Sequence, residues 1–368
     1  MKVLIMANYL MGLISFRKEI LQALTDKGYE VAVSAPYDEK YVPQLEECGC
    51  RFIETNVDRR GINPIKDLGL LMRYRKLIKS EKPDVVLTYT IKPNLYGGMA
   101  CRMTKTVQFA NITGLGTALE NPGLLQKLIV GLYKVGLKKC KLAFFQNSAN
   151  REFCQSHEMV KCDTILLNGS GVNLTHHVAQ PYPKEEGVVK FIFISRIMKD
   201  KGVDELFEAT RRLRAKYGDK VELHVVGFAE DNYTGVMETL AAEATVIYHG
   251  TQKDVRPFVA NSHCLVLPSY HEGMSNVLQE ASAAARPVIT CDVPGCKEIV
   301  ERDKSGFLCE VKSADSLYKQ MERFVQLPYS EKEAMGIAAR KKVERDFDRQ
   351  NVVNKYLTEI GKLVVCKV

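Results

Sequence analysis

Short apolar runs alternate with amphipathic stretches along the first half of the chain. Lys2–Ala7 predicts a strand, Ser15–Lys27 a helix closed by Gly28, and Glu30–Ala35 a second strand. Pro64–Ser80 predicts a long helix with Arg and Lys on its polar side. Asp84–Thr90, opening after Pro83, predicts another strand; Val107–Ile112, Leu142–Gln146 and Thr164–Leu167 continue the series. Strands and helices alternating at this length imply parallel sheets covered on both faces.

The pattern breaks at Gln180–Gly187, QPYPKEEG, where two prolines, a glycine and a charge cluster read as a linker. It then restarts, with strands at Val188–Ser195, Val221–Gly227, Thr245–His249, Cys264–Pro268, Pro287–Cys291 and Phe307–Val311, and helices between them. Ser330–Leu363 reads as two helices with no further strand, and no short tandem repeat is present. The chain is therefore expected to be α/β, with two Rossmann-like, doubly wound parallel-sheet domains facing a cleft. The first is residues 1–180, the second 181–345, and 346–368 form a final helix. Open sheets of this kind bind ligands at the carboxyl ends of their strands.

Composition narrows the class. The 368 residues are 46% hydrophobic and 26% charged, enough for two ordinary cores and far from disordered or fibrous chains. The net charge is +8, and all of the excess lies in the first half: residues 1–180 hold 24 Lys/Arg against 16 Asp/Glu, residues 181–368 hold 28 of each. That asymmetry points to a face for acidic partners, namely a phospholipid surface, a diphosphate-linked substrate or nucleic acid; solvated surface lysines are the plainer explanation. Nucleic acid fits poorly, because the basic residues are not interleaved with aromatics and no RNP-like motif occurs. The eleven cysteines are dispersed and odd in number, which suits a reduced cytosol. Met1–Phe16 reads as strand, turn and helix start rather than as a signal peptide. No stretch reaches the ~20 uninterrupted apolar residues of a spanning helix, so membrane contact is expected to be peripheral.

Common nucleotide and hydrolase signatures are missing. No P-loop occurs, and no G-x-G-x-x-G follows the first strand; Gly114–Gly116 and Gly169–Gly171 are bare G-x-G fragments that read as turns. His271-Glu272 opens like a zinc-protease motif, but position 275 is Ser. The strongest stretch is Ser269–Pro294, after the strand at Cys264–Pro268. Glu272 falls in the loop before a helix, and Glu280 about two turns into it. Between them, Gly273, Met274 and Ser275, leading into Asn276 and Val277, can present backbone N–H groups at the helix start, a setting that suits a diphosphate. Two carboxylates flanking an anion site can each hold a pair of hydroxyls, one on a hexose and one on a ribose. Ordinary helix and loop glutamates are the alternative. In Ser195–Gly202, SRIMKDKG, Arg196 and Lys201 straddle a strand-to-helix turn and can neutralise a departing diphosphate; surface charges at a turn are the plain alternative.

Arg196, Lys201, the strand end Val225-Val226-Gly227 and E-G-x-S-x-x-x-x-E together resemble glycosyltransferase family 4, along essentially the whole chain. The resemblance implies the GT-B fold, a nucleotide-sugar donor, retention of anomeric configuration and a final helix crossing back to the first domain. It implies that Arg196 and Lys201 bind the donor diphosphate, Glu272 holds the sugar and Glu280 the ribose. The loop Gly250–Val255 would lie by the base. Gly12, after the first strand, matches a loop that approaches the donor phosphates. DRRGINP (Asp58–Pro64), TYTIKPNLYGG (Thr88–Gly98) and NITGLG (Asn111–Gly116) resemble the branch acting on polyprenyl-diphosphate-linked sugars in surface polysaccharide or glycan synthesis. Lys92 and Asn94 are then candidates for acceptor binding, and Arg17, Lys18, Arg73, Arg75, Lys76 and Lys79 for an anionic membrane or a diphosphate acceptor. Many family members place a histidine near the transferred sugar. All seven histidines here lie at or beyond His157, so none is assigned that role, and His271 reads as loop packing.

The expectation is thus a retaining transferase that moves a hexose or N-acetylhexosamine from a UDP-sugar to a lipid-linked saccharide. It would need no metal or other cofactor, bind no nucleic acid, and work at the inner face of the cytoplasmic membrane. Two rivals remain: a UDP-sugar epimerase of the same fold, and a non-catalytic membrane-associated assembly factor.

Overall fold

The computed structural model describes residues 1–58, 63–115, 123–184 and 186–365. Arg59–Ile62 of DRRGINP, Gly116 of NITGLG and Glu185 lie outside the described residues. The chain folds as two units, Met1–Ser170 with Arg349–Val368, and Gly171–Asp348.

The first unit opens with β1 (Lys2–Met6), α1 (Met11–Asp26), β2 (Glu30–Ala35), α2 (Val42–Glu47) and β3 (Arg51–Glu54). Then come α3 (Pro64–Glu81), β4 (Val85–Tyr89) and a π-helical turn at Pro93–Gly97 that runs into α4 (Gly98–Thr104). It continues with β5 (Val107–Ile112), α5 (Leu124–Gly136), β6 (Leu142–Phe145), α6 (Ser148–Ser156) and β7 (Asp163–Leu166). Its seven strands are parallel in the order β3-β2-β1-β4-β5-β6-β7. Alternation along the strands feeds two cores. Val3, Ile5, Val33 and Leu87 pack with α1, while Leu4, Met6 and Val86 pack with Leu70, Tyr74 and Ile78 of α3. Asn63 caps α3: its Oδ1 accepts from the N–H groups of Ile65 (3.0 Å) and Lys66 (3.1 Å).

The second unit holds β8 (Val189–Ile194), α7 (Val203–Tyr217), β9 (Val221–Val226), α8 (Thr234–Ala242), β10 (Ile247–Tyr248) and α9 (Arg256–Ala260). It ends with β11 (Cys264–Leu267), α10 (Asn276–Ala283), β12 (Val288–Cys291), β13 (Gly306–Cys309), α11 (Ala314–Gln326) and α12 (Tyr329–Asp346). Its sheet is parallel in the order β10-β9-β8-β11-β12-β13. The last helix, α13 (Arg349–Val365), belongs to the first unit. There Arg349 Nη1 grips the Glu19 carboxylate (2.9 and 3.0 Å), the Tyr356 ring stacks on Phe144 at 4.4 Å, and the Tyr356 hydroxyl bonds Asn111. An aromatic pair of this kind adds about 0.5–1.5 kcal/mol beyond its burial.

Three sequence expectations need correction. The first unit ends at Ser170, not at 180, and QPYPKEEG is no free linker. Arg286 donates to Gln180 O (3.2 Å) and Pro181 O (2.7 Å), and the buried Tyr182 hydroxyl donates to His263 O (2.8 Å), so this segment is fastened to the second unit. The first helix begins at Met11, which places Gly12 inside α1 rather than in the preceding turn. The Tyr9 ring lies over Gly12, where a Cβ would come within 2.8 Å of it. Arg17 is buried, not exposed: its Nη1 donates to Phe16 O (2.9 Å), and the Gln146 amide, oriented to satisfy both its ends, accepts from Nη2 (2.7 Å).

Candidate active site

In each unit the chain reverses its winding between two adjacent strands, β1 and β4 in the first and β8 and β11 in the second. The carboxyl ends of such strands are where open parallel sheets take ligands. In the second unit this juxtaposition explains why two motifs about seventy residues apart in sequence meet in space: SRIMKDKG leaves β8, and SYHEGMS leaves β11.

They meet as an ion pair. Lys201 Nζ lies 2.7 Å from Glu272 Oε1, with both side chains largely shielded (16% and 18% exposed). Ser269 Oγ donates to the same carboxylate oxygen at 3.0 Å, and the Tyr270 N–H donates to Asp200 O at 2.9 Å, tying the loops together. Arg196 leaves the same connection but is more exposed, and its Nη1 stands 3.4 Å from Glu230 Oε1.

Below the pair, α10 starts at Asn276. Ser275 is its N-cap, and its side chain accepts from Leu278 N–H. Of the N–H groups expected at this helix start, that of Ser275 is given to Gly295 O (2.8 Å), and those of Asn276 and Val277 open the helix itself. Met274 is buried and packs in the main hydrophobic core of this unit, and Gly273 sits in the loop before the cap. Asn276 Oδ1 is buried without a protein partner. A helix start with a lysine held on the loop that leads into it is a setting that binds phosphates.

Glu280, further along α10, lines a pocket of about 300 Å³ with Asp254, Val255, Arg256 and His176. The Arg256 guanidinium beside Asp254 holds that carboxyl down at about 2. Residues 250–255, expected by the base, thus contribute two residues to the Glu280 pocket. Gly227, expected at the donor site, closes the end of β9 with φ 146°, where a Cβ would stand 1.8 Å from Ser195 O, so its missing side chain lets the ends of β8 and β9 approach. Sequence reasoning missed Ser269, which holds Glu272, and Gly295, whose carbonyl fixes Ser275. The only signal for Gly295 was its place just beyond a strand end, in DVPG.

His249, immediately before residues 250–255, stacks on His224 (5.2 Å, 4° between planes) with Nε2 2.9 Å from His224 Nδ1. Burial first, then the neighbouring His224, push its imidazole below the ordinary 6.5. Between that lowered value and 6.5 the unfolded chain binds more protons, so stability falls as pH drops through 6.5. Thermal unfolding followed from pH ~7.5 to ~5.5 should therefore lose less melting temperature in His249→Gln than in the wild type.

In the first unit, Asn94 is not at a ligand surface. It is 1% exposed; its Oδ1 accepts from Thr88 Oγ1 (2.7 Å) and its Nδ2 donates to Asn111 O (3.0 Å). The π-helical turn rotates it inward, where it joins β4 to β5. Lys92 is paired with Asp67 Oδ1 at 2.7 Å, and Tyr96 OH donates to the other oxygen at 3.0 Å. Asp67 in turn lines a polar cavity of about 440 Å³ with Asn56, Lys66 and Arg73. Among the described residues, no group of three or more His, Cys, Asp or Glu is arranged to hold a metal ion.

Residues 2–147 match the family described as "Glycosyl transferase 4-like", and residues 177–342 match "Glycosyl transferases group 1". The chain belongs to the glycosyltransferases. This glycosyltransferase is 25% identical, over 95% of both chains, to the Campylobacter jejuni N,N'-diacetylbacillosaminyl-diphospho-undecaprenol alpha-1,3-N-acetylgalactosaminyltransferase. It is 26% identical to the Escherichia coli UDP-Gal:alpha-D-GlcNAc-diphosphoundecaprenol alpha-1,3-galactosyltransferase, over 72% of each chain. Among solved structures, Anabaena Alr3699/HepE in complex with UDP superposes with a TM-score of 0.80 at 15% identity, covering 98% of this chain and 100% of that one. The fold of this glycosyltransferase is GT-B.

Proposed function

We propose that this glycosyltransferase transfers a hexose or N-acetylhexosamine from a UDP-sugar, with retention, to a saccharide carried on a polyprenyl diphosphate. The observation that carries the donor reading is the Lys201–Glu272 pair beside the start of α10. In the free enzyme the two charges neutralise each other. A diphosphate takes over Lys201, joined by Arg196 and the N–H groups of Asn276 and Val277, and Glu272 turns to the sugar hydroxyls. Glu280 holds the ribose, and its pocket of about 300 Å³ has room for a nucleoside. The bond from C1 to the β-phosphate oxygen breaks with its electron pair on UDP. The acceptor hydroxyl bonds C1 from the same face and its proton leaves to the departing phosphate. Cations here do the work a divalent metal does elsewhere, so the reaction proceeds without one.

UDP is favoured by the E. coli relative, whose donor is named as UDP-Gal, and the lipid-linked acceptor by both relatives' names. The basic first half and the absence, among the described residues, of a helix able to cross a membrane suit a peripheral enzyme on the inner face of the cytoplasmic membrane.

Calorimetry with EDTA present tests the donor site. UDP should bind in the micromolar range, and more tightly than GDP. Glu280→Ala should weaken it about 10-fold or more, the loss of hydrogen bonds to a charged group. No UDP binding by folded protein, or binding indifferent to Glu280→Ala and to Arg196→Ala with Lys201→Ala, would overturn the reading.

A further inference from the structure

Helix α5 is apolar on two opposite sides. Inward, Val130, Tyr133 and Leu137 pack into the core of the first unit with Leu95 and Phe145. Outward, Leu124 (87% exposed), Leu128 (53%) and Val135 (41%) follow one another at helical spacing along a single stripe. Exposed lysines border that stripe on one side: Lys127 and Lys134 project about 60–100° around the axis from their nearest stripe residues, and exposed Lys138 follows in the turn after the helix. The adjoining α4 adds exposed Met103, Arg102 and Lys105. Across residues 98–105 and 124–141 the chain carries seven Lys or Arg and no Asp or Glu. A soluble surface helix rarely shows its largest aliphatic residues to water in a row.

At the carboxyl end of α5 the basic residues close around a cavity of about 460 Å³. Arg102, Lys134, Lys138 and Lys161 line it, with Val135 and Met159 as its apolar wall. Glu158 also lines it, 3.9 Å from Lys134 and 3.7 Å from Lys161, so cations outnumber acids there four to one.

We propose that the outward face of α4 and α5 docks on an anionic phospholipid bilayer. The Leu124–Leu128–Val135 stripe enters the headgroup–acyl boundary, the bordering lysines reach up to the phosphates, and the cavity receives one anionic headgroup. A helix with aliphatic residues at its centre and lysines along its margin lies in the membrane plane in this way. Charge selects the occupant: a surface on which cations outnumber acids four to one around its cavity is attracted to anionic lipid and gains nothing electrostatic from a neutral bilayer. This location differs from the cations of α1 and α3 that the sequence suggested: Arg17 of α1 is buried, and α3, which also exposes Ile65, Leu68 and Met72, carries Asp67 and Glu81 among its cations, whereas α4 and α5 hold no acid. The inference rests on the lipid-linked acceptor reading for its purpose, and it is tested without donor or acceptor.

The full chain is floated with vesicles of phosphatidylcholine alone or with added phosphatidylglycerol, free of any polyprenyl lipid. The wild type should rise with the anionic vesicles and stay behind with the neutral ones. Leu124→Asp with Leu128→Asp, both at exposed positions, should cut anionic-vesicle binding at least about 10-fold, the effect of losing two buried leucines. Lys134→Gln with Lys138→Gln should weaken binding and flatten its decline with salt. All of these variants should keep wild-type UDP affinity, which separates failure here from failure of the donor reading. No flotation of wild type, equal flotation of the leucine variant, or a wild-type dimer in sedimentation that the leucine variant dissolves would overturn the proposal; the last would make a second copy the occupant.

Discussion

Lys201→Ala is expected to lower kcat/KM for sugar transfer by about 10²–10³-fold, the usual cost of removing one group aimed at charge developing in the transition state. The geometry makes this position more sensitive than Arg196. Lys201 is shielded and already set 2.7 Å from Glu272, whereas Arg196 is 55% exposed and its contact with Glu230 is 3.4 Å. A fixed, desolvated cation stabilises a departing diphosphate without reorganising, and a mobile exposed one is screened by water. Loss of Lys201 also removes the cation paired with Glu272, so the carboxylate repels the incoming phosphates more strongly. The two residues should therefore behave as a unit. Lys201→Ala combined with Glu272→Gln should cost far less than the product of the single losses. The check is steady-state release of UDP with each variant, alongside circular dichroism to establish that each is folded. Activity within tenfold of wild type in Lys201→Ala would remove the leaving-group role.

This pair also shows what the sequence makes legible. Arg196-to-Lys201 and Glu272-to-Glu280 each carry a recognisable spacing, and each follows an apolar strand. Their meeting needs one more fact, that β8 and β11 are neighbours, which follows from the doubly wound order. Central strands were equally plain: β1 reads as an unbroken apolar run because both its faces are buried. β3 was overlooked because Arg51–Glu54 lies at the sheet edge, with no fully buried position to mark it. Asn94 and Arg17 were misjudged for a shared reason. Polar residues, whether just past a strand like Asn94 or within a helix like Arg17, look solvent-facing in one dimension, and tertiary partners, Thr88 and Asn111 for one, Gln146 for the other, make their burial tolerable. The outward stripe of α5 was hidden for the opposite reason: leucines that face water and leucines that face the core look alike in sequence.

Gly227→Ala should be the most damaging of the small substitutions, destabilising the second unit by about 3 kcal/mol or more. Two costs coincide there. At φ 146° the backbone lies in a region that residues with a Cβ rarely adopt, and the added Cβ would stand 1.8 Å from Ser195 O and 2.8 Å from its carbonyl carbon. Nothing flexible can yield, because the obstacle is backbone. Ser195 is held by its own N–H, given to Val226 O at 3.2 Å, and Gly227 by a bond to Gly250 O at 2.8 Å. Relief of the clash must spread the ends of β8 and β9, and Arg196 and Lys201 leave from the first of these. Gly28→Ala isolates the conformational part. Gly28 has φ +76° but open space around the missing Cβ, so only the left-handed backbone is penalised, at about 1–2 kcal/mol. Urea unfolding of both variants, read by circular dichroism, should place the Gly227→Ala midpoint well below that of Gly28→Ala. Equal midpoints would mean that the strand ends are free to part, and the loop carrying Arg196 and Lys201 would then be held by something other than this contact.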